Sequence, residues 1–337
     1  MKAKIKPRID LENRTDLETV IPLSVPFIIN VDPTDVCNFR CKFCPTADRA
    51  LMRTTPGRNF GLMDFALYQK IIDDICQFER PIKVLRLYKD GEPLLHPKFP
   101  EMVRYAKDKK SSERIDTTTN ASRLSPELNL KLADAGLDRI NISIYGMNEA
   151  QYKDFSKAKV NFDALVANIR HLYERRGNCE MIIKINGDIL SEEDKQRFYD
   201  VFGDMADGVY IEHIMSCWPE FDLEQHGVHP NPDVGIYGQP ISEVQVCPYI
   251  FYSFSINSDG RASSCFLDWE RKLIIGDAKT QSVKDIWNGA KLLAHQKMML
   301  MKQRKQHPVC RNCDQMRRGH PDKIDVHADE MLSRLRG

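Results

Sequence analysis

Three cysteines, Cys37, Cys41 and Cys44, stand within eight residues in the run Pro33-Thr-Asp-Val-Cys37-Asn-Phe-Arg-Cys41-Lys-Phe-Cys44-Pro45. Thiolates spaced C-x3-C-x2-C suit one soft metal centre. Three of them can hold three irons of a [4Fe–4S] cube and leave the fourth iron open, free to bind a small molecule and pass it an electron. Zinc competes for such thiols, but its sites usually pair C-x2-C units to reach four ligands, and no local fourth ligand is present. Unrelated buried thiols are the remaining reading. A second set, Cys247, Cys265, Cys310 and Cys313, follows the pattern C-x17-C-x44-C-x2-C. Four thiolates can ligate every corner of a further cube, or a structural zinc ion.

The elements that must position these thiols show in the periodicity. Strand-like stretches fall at 27–32, 82–88, 114–119, 139–145, 181–186 and 208–214, with helix-like stretches at 63–79, 97–110, 125–136, 148–176 (broken) and 191–204. On the first helix Tyr68, Ile71, Ile72, Ile75 and Cys76 share one face, which predicts Cys76 in the core. Six β-α repeats imply parallel strands with helical crossovers, as an open barrel or a flat doubly wound sheet. Either way the site lies at the C-terminal ends of the strands, where Cys37 to Cys44 sit. Alternation over 139–145 puts Asn141, Ser143 and Tyr145 on one face and three isoleucines on the other. Lys184 interrupts an apolar strand, a costly place unless it is paired or lines a wet cavity. Glu212 and His213 end the sixth strand as acid–base candidates. Cys217 follows them and belongs to neither cysteine set. Cys179 precedes the fifth strand, at its opposite end, and reads as structural.

The chain divides into an arm (1–24), a β/α unit (25–218), a linker (219–243) and a second unit with a C-terminal tail (244–337). Four prolines and three glycines mark the linker. Lys+Arg 49 against Asp+Glu 48 gives a net charge of +1, no electrostatic case for nucleic acid or an anionic membrane. There is no signal peptide and no apolar run near the ~18 residues of a membrane span. Ten cysteines without a secretion signal point to a reducing cytoplasm.

The cysteine triplet, with Phe43 before its last cysteine, resembles the radical S-adenosylmethionine (SAM) enzymes. Gly91-Glu92-Pro93 after the second strand resembles that superfamily's SAM-binding Gly-Gly-Glu-Pro, with Asp90 in place of the first glycine. The resemblance implies an α/β fold, a partial (β/α)6 barrel. It also implies a SAM-binding [4Fe–4S] cluster on Cys37, Cys41 and Cys44, SAM contacts from Phe43, Gly91, Glu92, Pro93, Asn120 and Ser143, and a flavodoxin- or ferredoxin-type electron donor. Gly260-x4-Cys265 and Asp285-Ile-Trp-Asn288 resemble the auxiliary-cluster domains called SPASM and Twitch. With no cysteine after Cys313, one auxiliary [4Fe–4S] cluster is expected. The four-cysteine spacing is similar to that of the aminocyclitol dehydrogenases of this family. It implies oxidation of a secondary alcohol on a sugar or aminocyclitol, with the auxiliary cluster taking the second electron and Lys184, Glu212 or His213 moving protons. An epimerase using Cys217 as hydrogen-atom donor is the alternative. Peptide modification comes third, disfavoured by an arm too short for a leader-binding domain. A non-enzymatic iron–sulfur sensor is the last.

Overall fold

Period-two alternation and helical crossovers produce a single open sheet. In the computed structural model, which describes residues 1–335, ten strands are ordered β1-β7-β6-β5-β4-β3-β2-β8-β9-β10. They span Lys4–Ile5 (β1), Ile28–Val31 (β2), Ile82–Arg86 (β3), Ser112–Thr119 (β4), Arg139–Ile144 (β5), Glu180–Asn186 (β6), Gly208–Glu212 (β7), Ser253–Ile256 (β8), Arg261–Ser263 (β9) and Ile274–Asp277 (β10). β2 to β7 are parallel neighbours in sequence order, the partial (β/α)6 barrel.

The crossovers are helices Phe65–Ile75, Phe99–Asp108, Pro126–Ala135, the broken pair Glu149–Phe155 and Phe162–Arg175, and Glu192–Phe202. Their ends follow local chemistry. The Asp64 carboxylate caps Leu67 N, the Ser125 hydroxyl caps Leu128 N ahead of Pro126, and Gly136 closes its helix at φ 80°. Their apolar faces cover the outside of the sheet: Tyr68, Ile71, Ile72 and Ile75 are buried against Met102 and Val103. Cys76 is not in that core. The helix stops at Ile75, Cys76 caps it, and its thiol is exposed, 3.6 Å from the Lys109 carbonyl.

Residues from outside the barrel occupy both of its edges. β1 adds in parallel to β7, and β8 adds in parallel to β2, from Ile28↔Ser253 to Val31↔Ile256. β8, β9 and β10 then form an antiparallel meander. Its first turn needs Gly260, at φ 89°. No helix among the described residues is long and apolar enough to cross a membrane.

The inner face of the barrel is polar, unlike most parallel sheets. Strand register sorts its side chains into levels. Asn30, Arg86, Asp116, Arg139 and Glu180 are successive partners at one level, Ser143, Lys184 and Tyr210 at a higher one, and Asn186 with Glu212 above that.

Candidate active site

The loop after β2 carries the first cysteines and is built by close backbone contact. Thr34 Oγ1 accepts from Val36 N (3.0 Å) and donates to Gly61 O (2.8 Å). Glu92 N donates to Val36 O at 2.9 Å. A Cβ on Gly91 would lie 2.1 Å from Thr34 O and 2.5 Å from Val36 O, so no other residue fits there. Arg40 N and Lys42 N donate to Ser156 O and Phe155 O, tying the loop's far side to a barrel helix.

Cys37, Cys41 and Cys44 line a cavity of about 200 Å³ together with Gly91, Glu92, Asn120 and Ser143. Burial pushes all three thiols up. The Glu92 carboxylate adds to this at Cys37, the neighbouring thiols at Cys41, and Asp90 at Cys44. A metal centre reverses that penalty, because thiolates ionise as they ligate. Phe43 stacks between Tyr145 (6.2 Å) and Phe155 (5.6 Å) at the cavity wall. Pro93 opens the short helical turn behind Glu92 and is buried.

Glu92 is 3% exposed and accepts from Asn120 N (2.8 Å), Leu94 N (3.2 Å) and the Thr119 hydroxyl. Burial raises its carboxyl to about 7 despite those donors. Asn120 donates from Nδ2 to Asn38 (2.9 Å), which lies in the cysteine loop.

Lys184 and Glu212 form an ion pair on adjacent strands, and both face the same cavity. Adjoining it a further cavity of about 190 Å³ is lined by Lys184, Glu212, His213, Cys217, Trp218 and Leu267. His213 Nδ1 lies 2.7 Å from Asp188. Burial raises the Cys217 thiol, followed by its neighbours Cys44 and Cys313, one from each cysteine set.

Cys247, Cys265, Cys310 and Cys313 converge. Cys265 is raised by burial and then by each of the other three. Four thiolates on one zinc ion at 2.3 Å would stand about 3.8 Å apart. Among the described residues the one group that brings three ligand atoms within 4.8 Å of one another is His295, His307 and Cys310. The wider sulfur spacing of both cysteine sets suits a cube, whose ligands stand at separate corners. His295 Nε2 is 3.6 Å from Cys310 Sγ, with Nδ1 2.9 Å from the Ser264 hydroxyl.

Asp90, where the family motif has glycine, serves a buried charge network. Its carboxylate meets Lys89 (3.0 Å), Arg271 (2.7 Å) and Arg58 (3.4 Å), while Arg58 and Lys89 also donate to the carbonyls of Trp269 and Asp268. Burial opposes ionisation, but Lys89 and Arg271 outweigh it and hold Asp90 well below the usual carboxylate range. The network joins the barrel to the β9–β10 connection. No spacing rule reveals it, since its partners lie far apart in sequence. Tyr88, Lys89, Asn186 and Trp218 also line the upper cavity. For Tyr88 and Asn186 the signal was available: each is in phase with the inward positions of its strand.

Comparison with known proteins agrees with this geometry. The family model "Radical SAM superfamily" matches residues 31–202, and "Iron-sulfur cluster-binding domain" (SPASM) matches 247–314. An AdoMet-dependent heme synthase from Methanosarcina barkeri is 30% identical over 149 residues, 44% of this chain and 40% of that protein. A probable GTP 3',8-cyclase from Methanococcus maripaludis is 35% identical over 121 residues, 36% of this chain and 37% of that protein. The chain thus matches well under half the length of these relatives. Among solved structures, BtrN in complex with AdoMet and 2-DOIA superimposes with TM-score 0.56 at 18% identity, covering 86% of this chain and 93% of that one. AdoMet-bound anSMEcpe gives TM-score 0.59 at 12% identity, covering 92% and 96%. These likenesses carry the fold.

Proposed function

Because the chain belongs to the radical SAM superfamily, an enzyme family whose model spans residues 31–202, we propose that it oxidises a secondary alcohol of a carbohydrate-type molecule, a sugar or aminocyclitol, to a carbonyl. Its cofactors are SAM and two [4Fe–4S] clusters. Cys37, Cys41 and Cys44 would hold the first cluster, and Cys247, Cys265, Cys310 and Cys313 the auxiliary one. When bound, these groups supply hydrogen-atom removal by a 5'-deoxyadenosyl radical and a nearby electron acceptor.

Oxidising a carbinol removes a hydrogen atom from carbon, a proton from oxygen and one further electron. The chain's side chains bind, orient and take the proton. Glu92, held by three donors, presents its remaining acceptor capacity to the SAM amino group, and Gly91 lets that segment approach the cysteine loop. Asn120 and Ser143 offer hydrogen bonds to the ribose and carboxylate, and Phe43 and Pro93 shape the wall. Glu212 is the base for the substrate hydroxyl. Its ion pair with Lys184 orients the carboxylate, and His213, oriented by Asp188, relays the proton outward. A flavodoxin- or ferredoxin-type protein would deliver the reducing electron.

One observation carries this reading: the Lys184–Glu212 ion pair lies on the wall shared by the cavity of Cys37, Cys41 and Cys44 and the cavity of Cys217. That placement suits a substrate whose hydroxyl proton is taken beside the first cysteine set. The test is anaerobic turnover with a substrate deuterated at the carbinol carbon. We expect one 5'-deoxyadenosine per carbonyl formed, carrying the deuterium. Cys217 also lines the cavity, which favours a second reading, epimerisation. An isomerised product carrying solvent deuterium, lost in Cys217→Ala, would replace the first reading with the second.

A further inference from the structure

The lumen below Lys184 has a charge of its own. The cavity of about 190 Å³ runs down to Arg8, Asn30 and Arg86, where a second cavity of about 390 Å³ begins. Six cations line the lower one: Arg8, Arg14, Lys83, Arg86, Arg114 and Arg139. Four of them are answered unevenly. Arg14 pairs with Asp322 at 2.6 Å, and Arg139 donates to Glu180 at 2.6 Å, although Glu180 also takes Lys6 at 2.7 Å. Arg86 and Arg114 share the single carboxylate of Asp116, at 3.8 and 3.7 Å. Those separations are too long for hydrogen bonds. The buried Nε of each has no partner among the described residues. Asp10, the other acid at the cavity, is exposed and accepts from its own turn, at Glu12 N and Asn13 N.

Arg8 is brought in by the N-terminal segment that follows β1. It donates to the Tyr88 hydroxyl at 2.8 Å and ion-pairs with no carboxylate among the described residues. Lys83 lies over the Phe27 ring at 3.7 Å and reaches only the Thr15 hydroxyl, at 3.3 Å. Burial would raise the Tyr88 phenol, yet Arg8 and Arg86 outweigh it and hold it below its usual range. Cations left over in a half-buried cavity are unfavourable without a counter-charge. Guanidinium forks match phosphate oxygens better than any other common anion partner of a sugar.

We propose that the substrate is a phosphorylated sugar. Its phosphate is held by Arg8, Arg86 and Arg114 in the lower lumen, while its carbinol carbon sits above, at Lys184 and Glu212. The placement of the carbinol rests on the oxidation proposed above; the phosphate site does not. Tyr237, Tyr249 and Tyr252 line the lower cavity and would flank whatever the phosphate carries further out. A cationic aminocyclitol is opposed by the same charges.

The test is equilibrium binding to the anaerobically reconstituted, SAM-loaded enzyme. The probes are glucose, glucose 1-phosphate, UDP-glucose and inorganic phosphate, at low and at physiological salt. The phosphorylated probes should bind and glucose should not, with affinity falling as salt rises. Arg8→Gln and Arg86→Gln should each weaken them tenfold or more while SAM affinity stays the same, which reports that the barrel is intact. Tighter binding of UDP-glucose identifies a nucleotide-linked sugar, and equal binding a simple ester. Equal affinity for glucose and glucose 1-phosphate, failure of every phosphorylated probe to bind, or indifference of both arginine variants overturns the proposal. Binding of the phosphorylated probes without oxidation of any sugar leaves the anion site standing and removes the oxidation.

Discussion

Replacing Glu92 by glutamine tests the SAM site at one atom pair. The carboxylate has about four lone-pair directions, and three are taken by Asn120 N, Leu94 N and the Thr119 hydroxyl. One remains for the SAM amino group. Glutamine keeps the shape and removes the charge, so the loss is one charge-assisted hydrogen bond, about 1.5–3 kcal/mol. That is about a 10- to 150-fold rise in Kd. The pH dependence sharpens the test. Burial raises Glu92 to about 7 in the free protein. The ionised form is the binding form, so affinity falls as pH drops through 7. Between pH 8 and pH 6 the ionised fraction goes from about nine-tenths to about one-tenth. The glutamine variant has no such proton to gain. The ratio of variant to wild-type Kd should therefore shrink about tenfold from pH 8 to pH 6, and any titration of SAM itself cancels in that ratio. The assay is equilibrium SAM binding to both proteins, anaerobic, at matched iron content and fixed salt. An unchanged Kd, or a ratio identical at the two pH values, refutes the assignment.

Reconstituted protein should hold about eight irons per chain, and replacing Cys37, Cys41 and Cys44 together by alanine should leave about four. Half the wild-type iron accompanied by tightly bound zinc would remove the auxiliary cluster. Asp90→Asn should destabilise the fold by about 3–5 kcal/mol, because Lys89, Arg271 and Arg58 stay buried without their central carboxylate. Burial and the Asp90 charge raise Asp32 to about 8. In the variant Asp32 ionises more readily and offsets part of the loss near neutral pH, so the penalty should grow as pH falls toward 5. A melting temperature indifferent to the substitution at both pH values would show that the network contributes nothing.

Local signals carried much of this far. The six strands and their helices were readable because each is a short run of one period bounded by caps such as Ser125-Pro126 and Gly136. The cysteine spacings were readable because ligand geometry restricts them. Cys76 was misplaced because helical phase says which face a residue shares but not where the helix ends. Lys184 stood out as a lone charge in an apolar strand, and Glu212 as a strand-end acid, but their pairing needed the register of β6 against β7. Arg8 could not be read at all. It acts in the lumen only because two residues before the barrel add to the edge of β7, and nothing in Lys4–Ile5 announces a strand.

The parallel seam between β2 and β8 has a consequence for how the protein is made. Ile28 pairs with Ser253, and the seam runs on into the cysteine loop, where Asp32 N donates to Ile256 O at 2.9 Å. The first barrel strand leaves the ribosome early, yet one of its edges stays bare until about two thirds of the chain has followed. Contacts so distant in sequence slow folding, and an open strand edge invites pairing with another nascent chain. The loop bearing Cys37, Cys41 and Cys44 thus reaches its final shape only after translation has passed the auxiliary hairpin. A message cut short before Ser253 would leave that β2 edge without its partner.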